Sequence, residues 1–178
     1  MPARMKPAWV LLAAGVLLAG CWLAPGGGAR PAAGDQLLVD AAGGGTSRIH
    51  CRNVPDPFGG GGQVIAGELV EKDMHKTTFL HKEGFFAIPA LGRADLVVRL
   101  AVKGERKVRI ALVNDQGTVK SFYRELPEEN RWITLRLPLE DVLAKLPAGE
   151  KIVDLCIWQL GGGKPAGLYV DRLLLHSR

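Results

Sequence analysis

From Gln63 onward the chain repeats with period two. Leu96, Val98, Leu100 and Val102 alternate with Asp95, Val97, Arg99 and Ala101. After a Gly104-Glu105 turn, Val108, Ile110 and Leu112 alternate with Lys107, Arg109 and Ala111. Asn114-Asp115-Gln116-Gly117 then has hairpin chemistry: Asn and Asp cap the backbone locally and Gly permits positive φ. Val119 to Glu125 returns as the next strand, and Ile133, Leu135 and Leu137 alternate with Trp132, Thr134 and Arg136. Such alternation means strands with one buried face. Leu139, Val142, Leu143 and Leu146 fall at helical spacing and Pro147 ends that run, so a single short helix is expected. Ile152 to Leu160 is nearly continuous apolar sequence, as in a central strand, and Leu168 to Leu175 closes the domain. Short, regularly spaced strands with one helix predict an all-β fold, an antiparallel β-sandwich.

Before about Val64 the pattern breaks up. Ala41 to Gly45 and Gly59 to Gly62 are Gly-rich interruptions, and no strand boundary can be set there. Length and composition add limits. The 178 residues, 47% of them hydrophobic, give one ordinary domain and exclude a disordered chain. The formal charge of +5 falls to +3 when Arg4 and Lys6 leave with the N-terminal segment, since 21 basic residues then face 18 acidic ones. Those basic residues alternate with apolar ones and form no clustered stripe, which argues against nucleic acid as a partner.

The first 21 residues read MPARMKPAWVLLAAGVLLAGC. Arg4 and Lys6 make a positive n-region, and Met5 would also serve as a start. Ala8 to Gly20 is apolar but too short to span a bilayer. Leu18-Ala19-Gly20-Cys21 resembles the bacterial lipoprotein lipobox at every position. The resemblance implies cleavage before Cys21 and acyl chains on its sulfur and amine, and two or three such chains anchor a protein stably. Trp22, not Asp, follows, which by the sorting rule of such lipoproteins directs the chain to the outer membrane of a two-membrane host. The expected organisation is a signal peptide at 1–20, a flexible Gly/Pro/Ala tether at 21–35 and a sandwich domain at 36–178. The location follows as the bacterial cell envelope, anchored to the membrane by lipid.

Trp132 to Leu139 (WITLRLPL), Ile152 to Ile157 and Leu168 to Leu173 (LYVDRL) resemble the C-terminal half of galactose-binding-like jelly rolls, which include many carbohydrate-binding modules. The likeness runs from about Ala90 to Leu175. It implies a jelly-roll sandwich and a glycan as ligand, although such modules also bind protein or lipid. Members of such families often hold a structural Ca2+ between the first and last strands. Asp40 and Asp171 occupy the corresponding segments, but Arg172 stands where a second acid is usual. No other cofactor is implied.

Catalytic signatures that can be tested by spacing are absent, including His-Glu-x-x-His and Gly-x-Ser-x-Gly. Gly161-Gly162-Gly163-Lys164 continues into Pro165 and lacks the P-loop spacing. His75 and His81 would have to approach across a turn to share a metal, and surface histidines are the expectation. Binding chemistry is better supplied. If Val153, Leu155 and Ile157 point inward, Asp154, Cys156 and Trp158 point outward, as do Arg99, Arg109, Thr134 and Arg136. Trp158 and Tyr123 offer flat rings for sugars, with Asp154, Arg99, Arg109 and Arg136 as polar partners; arginine also suits a uronate carboxylate. The competing reading is a solvated arginine face with Trp132 as scaffold packing. Export would allow Cys51 and Cys156 to form a disulfide, the alternative being a buried free Cys156. The sequence therefore predicts a non-catalytic, monomeric envelope lipoprotein that binds a glycan. A structural lipoprotein docking another envelope protein, or a small hydrolase, stays open.

Overall fold

A computed structural model describes residues 35–41, 46–71, 74–81, 84–87, 93–144, 146–147, 150–161 and 166–178. The expected signal peptide, Cys21 and the expected tether up to residue 34 lie outside these residues. The elements are β1 (Asp35–Asp40), β2 (Ser47–Ile49), β3 (Cys51–Pro55), β4 (Gln63–Glu71), β5 (Met74–Leu80), β6 (Phe86–Ala87), β7 (Ala94–Lys103), β8 (Lys107–Asn114), β9 (Gly117–Glu125), β10 (Ile133–Pro138), α1 (Glu140–Leu143), β11 (Lys151–Ile152), β12 (Asp154–Gln159) and β13 (Gly167–Ser177). The strands pair antiparallel, and among the described residues no helix is long and apolar enough to cross a membrane.

Two layers form the sandwich, and β4 belongs to both. The first layer runs β10-β7-β13, and the far edge of β13 is divided between β1 and the start of β4. The second runs β5-β12-β8-β9, and the outer edge of β5 is divided between the end of β4 and β2. Gly67 is the crossing point: Ile65 and Ala66 pair with β13, while Glu68 pairs with Lys76 of β5. The alternating residues meet between the layers. Leu96, Val98, Leu100 and Val102 of β7 face Val108, Ile110 and Leu112 of β8, Leu155 and Ile157 of β12, and Phe79 of β5, all within one buried cluster. Fully burying each such side chain contributes roughly 1.5–3 kcal/mol.

Two details refine the expected strands. In β13 the register against β7 shifts between Val170 and Arg172, so Asp171 is an extra residue. This bulge resets the phase: Leu168 and Val170 face inward before it, Leu173 and Leu175 after it. The predicted strand from Ile152 to Leu160 is broken at Val153, because Ile152 pairs with Phe86 in a separate two-stranded ribbon. Val153 is therefore only half-buried, contrary to its expected inward place, and Ile152 fills the core instead.

The expected helix from Leu139 to Leu146 is a single turn, Glu140–Leu143. Leu139 and Val142 are buried and Leu146 packs at the core margin, so the apolar spacing was a packing signal more than a helix length. The Gly59–Gly62 stretch is the β3–β4 hairpin loop. Gly59 and Gly61 take φ of 86° and 72° there, and the Asp56 carboxylate accepts from the backbone N–H groups of Phe58 and Gly60 at 2.7 and 2.9 Å.

Candidate functional site

Hydrogen-bonded register places five side chains in one row across the outer face of the second layer. Glu68 of β4 stands opposite Lys76 of β5, Lys76 opposite Trp158 of β12, Trp158 opposite Arg109 of β8, and Arg109 opposite Tyr123 of β9. At a strand spacing of about 4.8 Å the row extends about 19 Å. The Lys76 ammonium lies 5.1 Å from the centre of the Trp158 ring, and the Arg109 guanidinium lies 4.8 Å from it. Arg109 also lies 5.8 Å from the Tyr123 ring, so cations and aromatics alternate across four strands. Its Nε donates to Ser121 Oγ at 3.1 Å, which fixes the guanidinium. Tyr123 is 60% exposed; Trp158, Arg109 and Lys76 are half-buried.

Beside this row the side chains are short. One pleat along, Thr78, Cys156, Ala111 and Ser121 stand in register. Beyond them is a row of Leu80, Asp154, Val113 and Thr118. The aromatic row and Asp154 thus lie about 13 Å apart along β12, with Thr78, Cys156 and Ala111 between them buried beneath neighbouring side chains. Burial raises the Asp154 carboxyl above the usual carboxylate range, helped by the charge of Asp115 and partly offset by Lys76.

Four of the six predicted binding residues, Trp158, Asp154, Arg109 and Tyr123, therefore share one face. Arg99 and Arg136 do not. They sit on β7 and β10, on the outer face of the first layer, so the expectation of one combined site is corrected. Outward alternation tells that a side chain leaves the core, not which side of the sandwich it reaches. Arg99 is committed locally: it pairs with Asp171 at 2.9 Å and lies 5.4 Å from the Trp132 ring. Trp132 stacks edge-on with Phe58 at 5.7 Å, Phe58 with Tyr169 at 5.4 Å, and Trp132 Nε1 donates to Asp56 at 3.2 Å. Those rings pack against one another, the scaffold role weighed for Trp132. Arg136 is exposed on β10 opposite Val97. Lys76 was missed by sequence reasoning, because buried Thr77 interrupts the apolar alternation of β5.

The other sequence candidates are placed as follows. Asp40 and Asp171 lie on neighbouring strands, but the pair does not fit Ca2+. Asp171 faces two cations, Arg99 at 2.9 Å and Arg172 at 3.7 Å, where a calcium site collects several anionic oxygens. No group of three or more His, Cys, Asp or Glu suited to a metal occurs among the described residues. His75 stands near the start of β5 and His81 just past its end, about 20 Å apart in extended chain, so no turn joins them. His75 instead lines a hollow of about 550 Å3 beside Gly67 and Tyr169.

Cys51 and Cys156 are separate thiols, which corrects the disulfide. Cys156 points to the outer face, 3.7 Å from Thr78 Oγ1, while Cys51 packs against the interior cluster. Burial raises both thiols above their ordinary range.

No family model and no curated relative matches the chain. Solved structures do resemble it. An exo-beta-agarase matches with a TM-score of 0.57 and 8% identity, over 80% of this chain and 25% of that one. An agarase matches with a TM-score of 0.55 and 12% identity, over 82% of this chain and 25% of that one. A family 29 carbohydrate-binding module, solved in complex with mannohexaose, matches with a TM-score of 0.47 and 16% identity, over 80% of this chain and 90% of the module. The chain spans about a quarter of the length of the agarases it matches. At such identities the likeness shows the fold alone, a β-sandwich of the jelly-roll type.

Proposed function

We propose that this chain is a non-catalytic envelope lipoprotein that binds a glycan on the outer face of its second layer. The observation that carries the reading is the register of Lys76, Trp158, Arg109 and Tyr123 across four adjacent strands. Aromatic rings held by a sheet offer flat apolar surface to a sugar ring, while fixed donors and acceptors beside them meet its hydroxyls. Structural likeness to parts of two agarases supports a polysaccharide as the partner. Their catalytic activity is not carried over, since the matched part is a quarter of each. The lipobox-like Leu18 to Cys21 supports attachment to the bacterial envelope, with the sandwich held off the membrane by the tether.

The test is affinity electrophoresis of the detergent-solubilised protein through gels containing neutral and acidic polysaccharides, run alongside Trp158→Ala and Trp132→Ala. Trp158→Ala is expected to weaken binding about thirtyfold, corresponding to the ~2 kcal/mol of a central aromatic anchor. Trp132→Ala is expected to lower the melting temperature and leave binding unchanged, because that ring packs with Phe58 and Arg99 on the opposite face. Retardation by no polysaccharide, from a folded sample, would replace the glycan reading with protein docking. The anchor has its own check. Cys21→Ser is expected to move the protein from the membrane to the soluble fraction, and unchanged membrane association would remove the lipid from the proposal.

A further inference from the structure

We infer that the glycan bound at this face is anionic and that Arg109 and Lys76 hold its charged substituent, a uronate carboxylate or a sulfate ester. The inference rests on the glycan-binding reading and goes beyond it by naming the ligand's charge. Its basis is a contrast between the two outer faces. On the first layer the half-buried Arg99 and Arg172 both lie within 4 Å of Asp171, so their charge is answered within the fold. On the second layer the half-buried Arg109 and Lys76 converge on one indole from opposite sides, at 4.8 and 5.1 Å. Neither has a carboxylate at ion-pair distance among the described residues.

The acids around them do not remove the excess. Glu68 stands opposite Lys76 at the end of the row, is exposed and makes no ion pair with it. Asp154 is two pleats away along β12 from Trp158. Arg109 spends only Nε within the fold, on the uncharged Ser121 hydroxyl. Its Nη groups have no partner among the described residues and are left for a ligand. A guanidinium fixed by a hydroxyl and two flanking rings loses little freedom on meeting an oxyanion, and it offers two parallel N–H donors to a carboxylate or sulfate. Lys76 adds a second positive charge on the other side of the same ring. A sugar seated against the Trp158 and Tyr123 rings would place a charged substituent against this pair.

Matched ligands test the charge with the backbone held constant. Oligogalacturonate is compared with its methyl ester, and a sulfated galactan with its desulfated form, by calorimetry with the full chain in detergent. One acidic ligand of the two pairs is expected to bind, with a loss of about tenfold when its charge is removed and a further loss between 0.05 and 0.5 M salt. Which pair responds distinguishes carboxylate from sulfate. Arg109→Gln, with Lys76→Gln as a second variant, is expected to abolish the preference for the charged form while residual binding persists. Equal binding of charged and uncharged forms would overturn the inference and leave the glycan reading standing. Binding of neither pair, nor of any neutral polysaccharide, would overturn both.

Discussion

Phe79→Ala is expected to destabilise the domain by about 3–5 kcal/mol. The ring is fully buried near the C-terminal end of β5, opposite Leu155 of β12, and belongs to the cluster that joins the two layers. Its removal leaves a hole between strands pinned on both sides by hydrogen bonds, so the layers cannot close over it. The corresponding fall in melting temperature is about 10–15 °C. Leu37→Ala is the comparison, since Leu37 is 43% exposed on β1 and its loss is expected to stay within about 0.5 kcal/mol. Urea unfolding monitored by tryptophan fluorescence checks both. A loss below about 1.5 kcal/mol for Phe79→Ala would mean that the layers can relax together, and that β5 is not the fixed platform on which Lys76 stands.

How much of this was legible in the sequence depends on how each residue is used. Strands β7, β8 and β10 were readable because each sends large aliphatic side chains to the core at alternate positions, which is what the alternation records. Strand β13 was readable as a strand, but its bulge was not drawn out, although the phase change from Leu168 and Val170 to Leu173 and Leu175 marks it. Strands β1 to β5 were largely missed for a physical reason. β2 and β3 are edge strands that bury little, and β5 places Thr77 in the core where an aliphatic residue would have signalled the period.

The site divides in the same way. Parity along β12 correctly set Asp154, Cys156 and Trp158 on an outer face. It could not separate Arg109 from Arg99, because the layer that a strand joins is decided by pairings distant in sequence: β8 beside β12, and β7 beside β13. Parity also says nothing of depth. Cys156 faces outward yet is 6% exposed, because β12 is a middle strand with taller neighbours around the thiol.

The crossing of β4 links stability to the candidate site, and Gly67 is where the link can be broken. A Cβ placed on Gly67 would lie 3.0 Å from the Lys76 carbonyl oxygen and 3.3 Å from Leu168 Cβ. Its φ is not positive, so backbone strain does not enter, and relief of unfolded-chain entropy alone would make Gly67→Ala stabilising by about 0.4–1 kcal/mol. The contacts reverse that sign. Leu168 is 1% exposed in the core, and the Lys76 backbone is held between Glu68 and Trp158, so neither retreats without moving a strand. Gly67→Ala is expected to cost about 1–2 kcal/mol, and Gly67→Val about 2–3 kcal/mol. Because the displaced group is Lys76, the strain passes into the row that carries Trp158 and Arg109. Glycan affinity is expected to fall severalfold in Gly67→Val even where the protein is fully folded. Arg136→Ala, on the other layer, leaves affinity unchanged. A Gly67→Ala variant as stable as the parent would show that β4 crosses with room to spare. An affinity loss in Arg136→Ala would place the ligand on the wrong face of the sandwich for every argument built on Trp158.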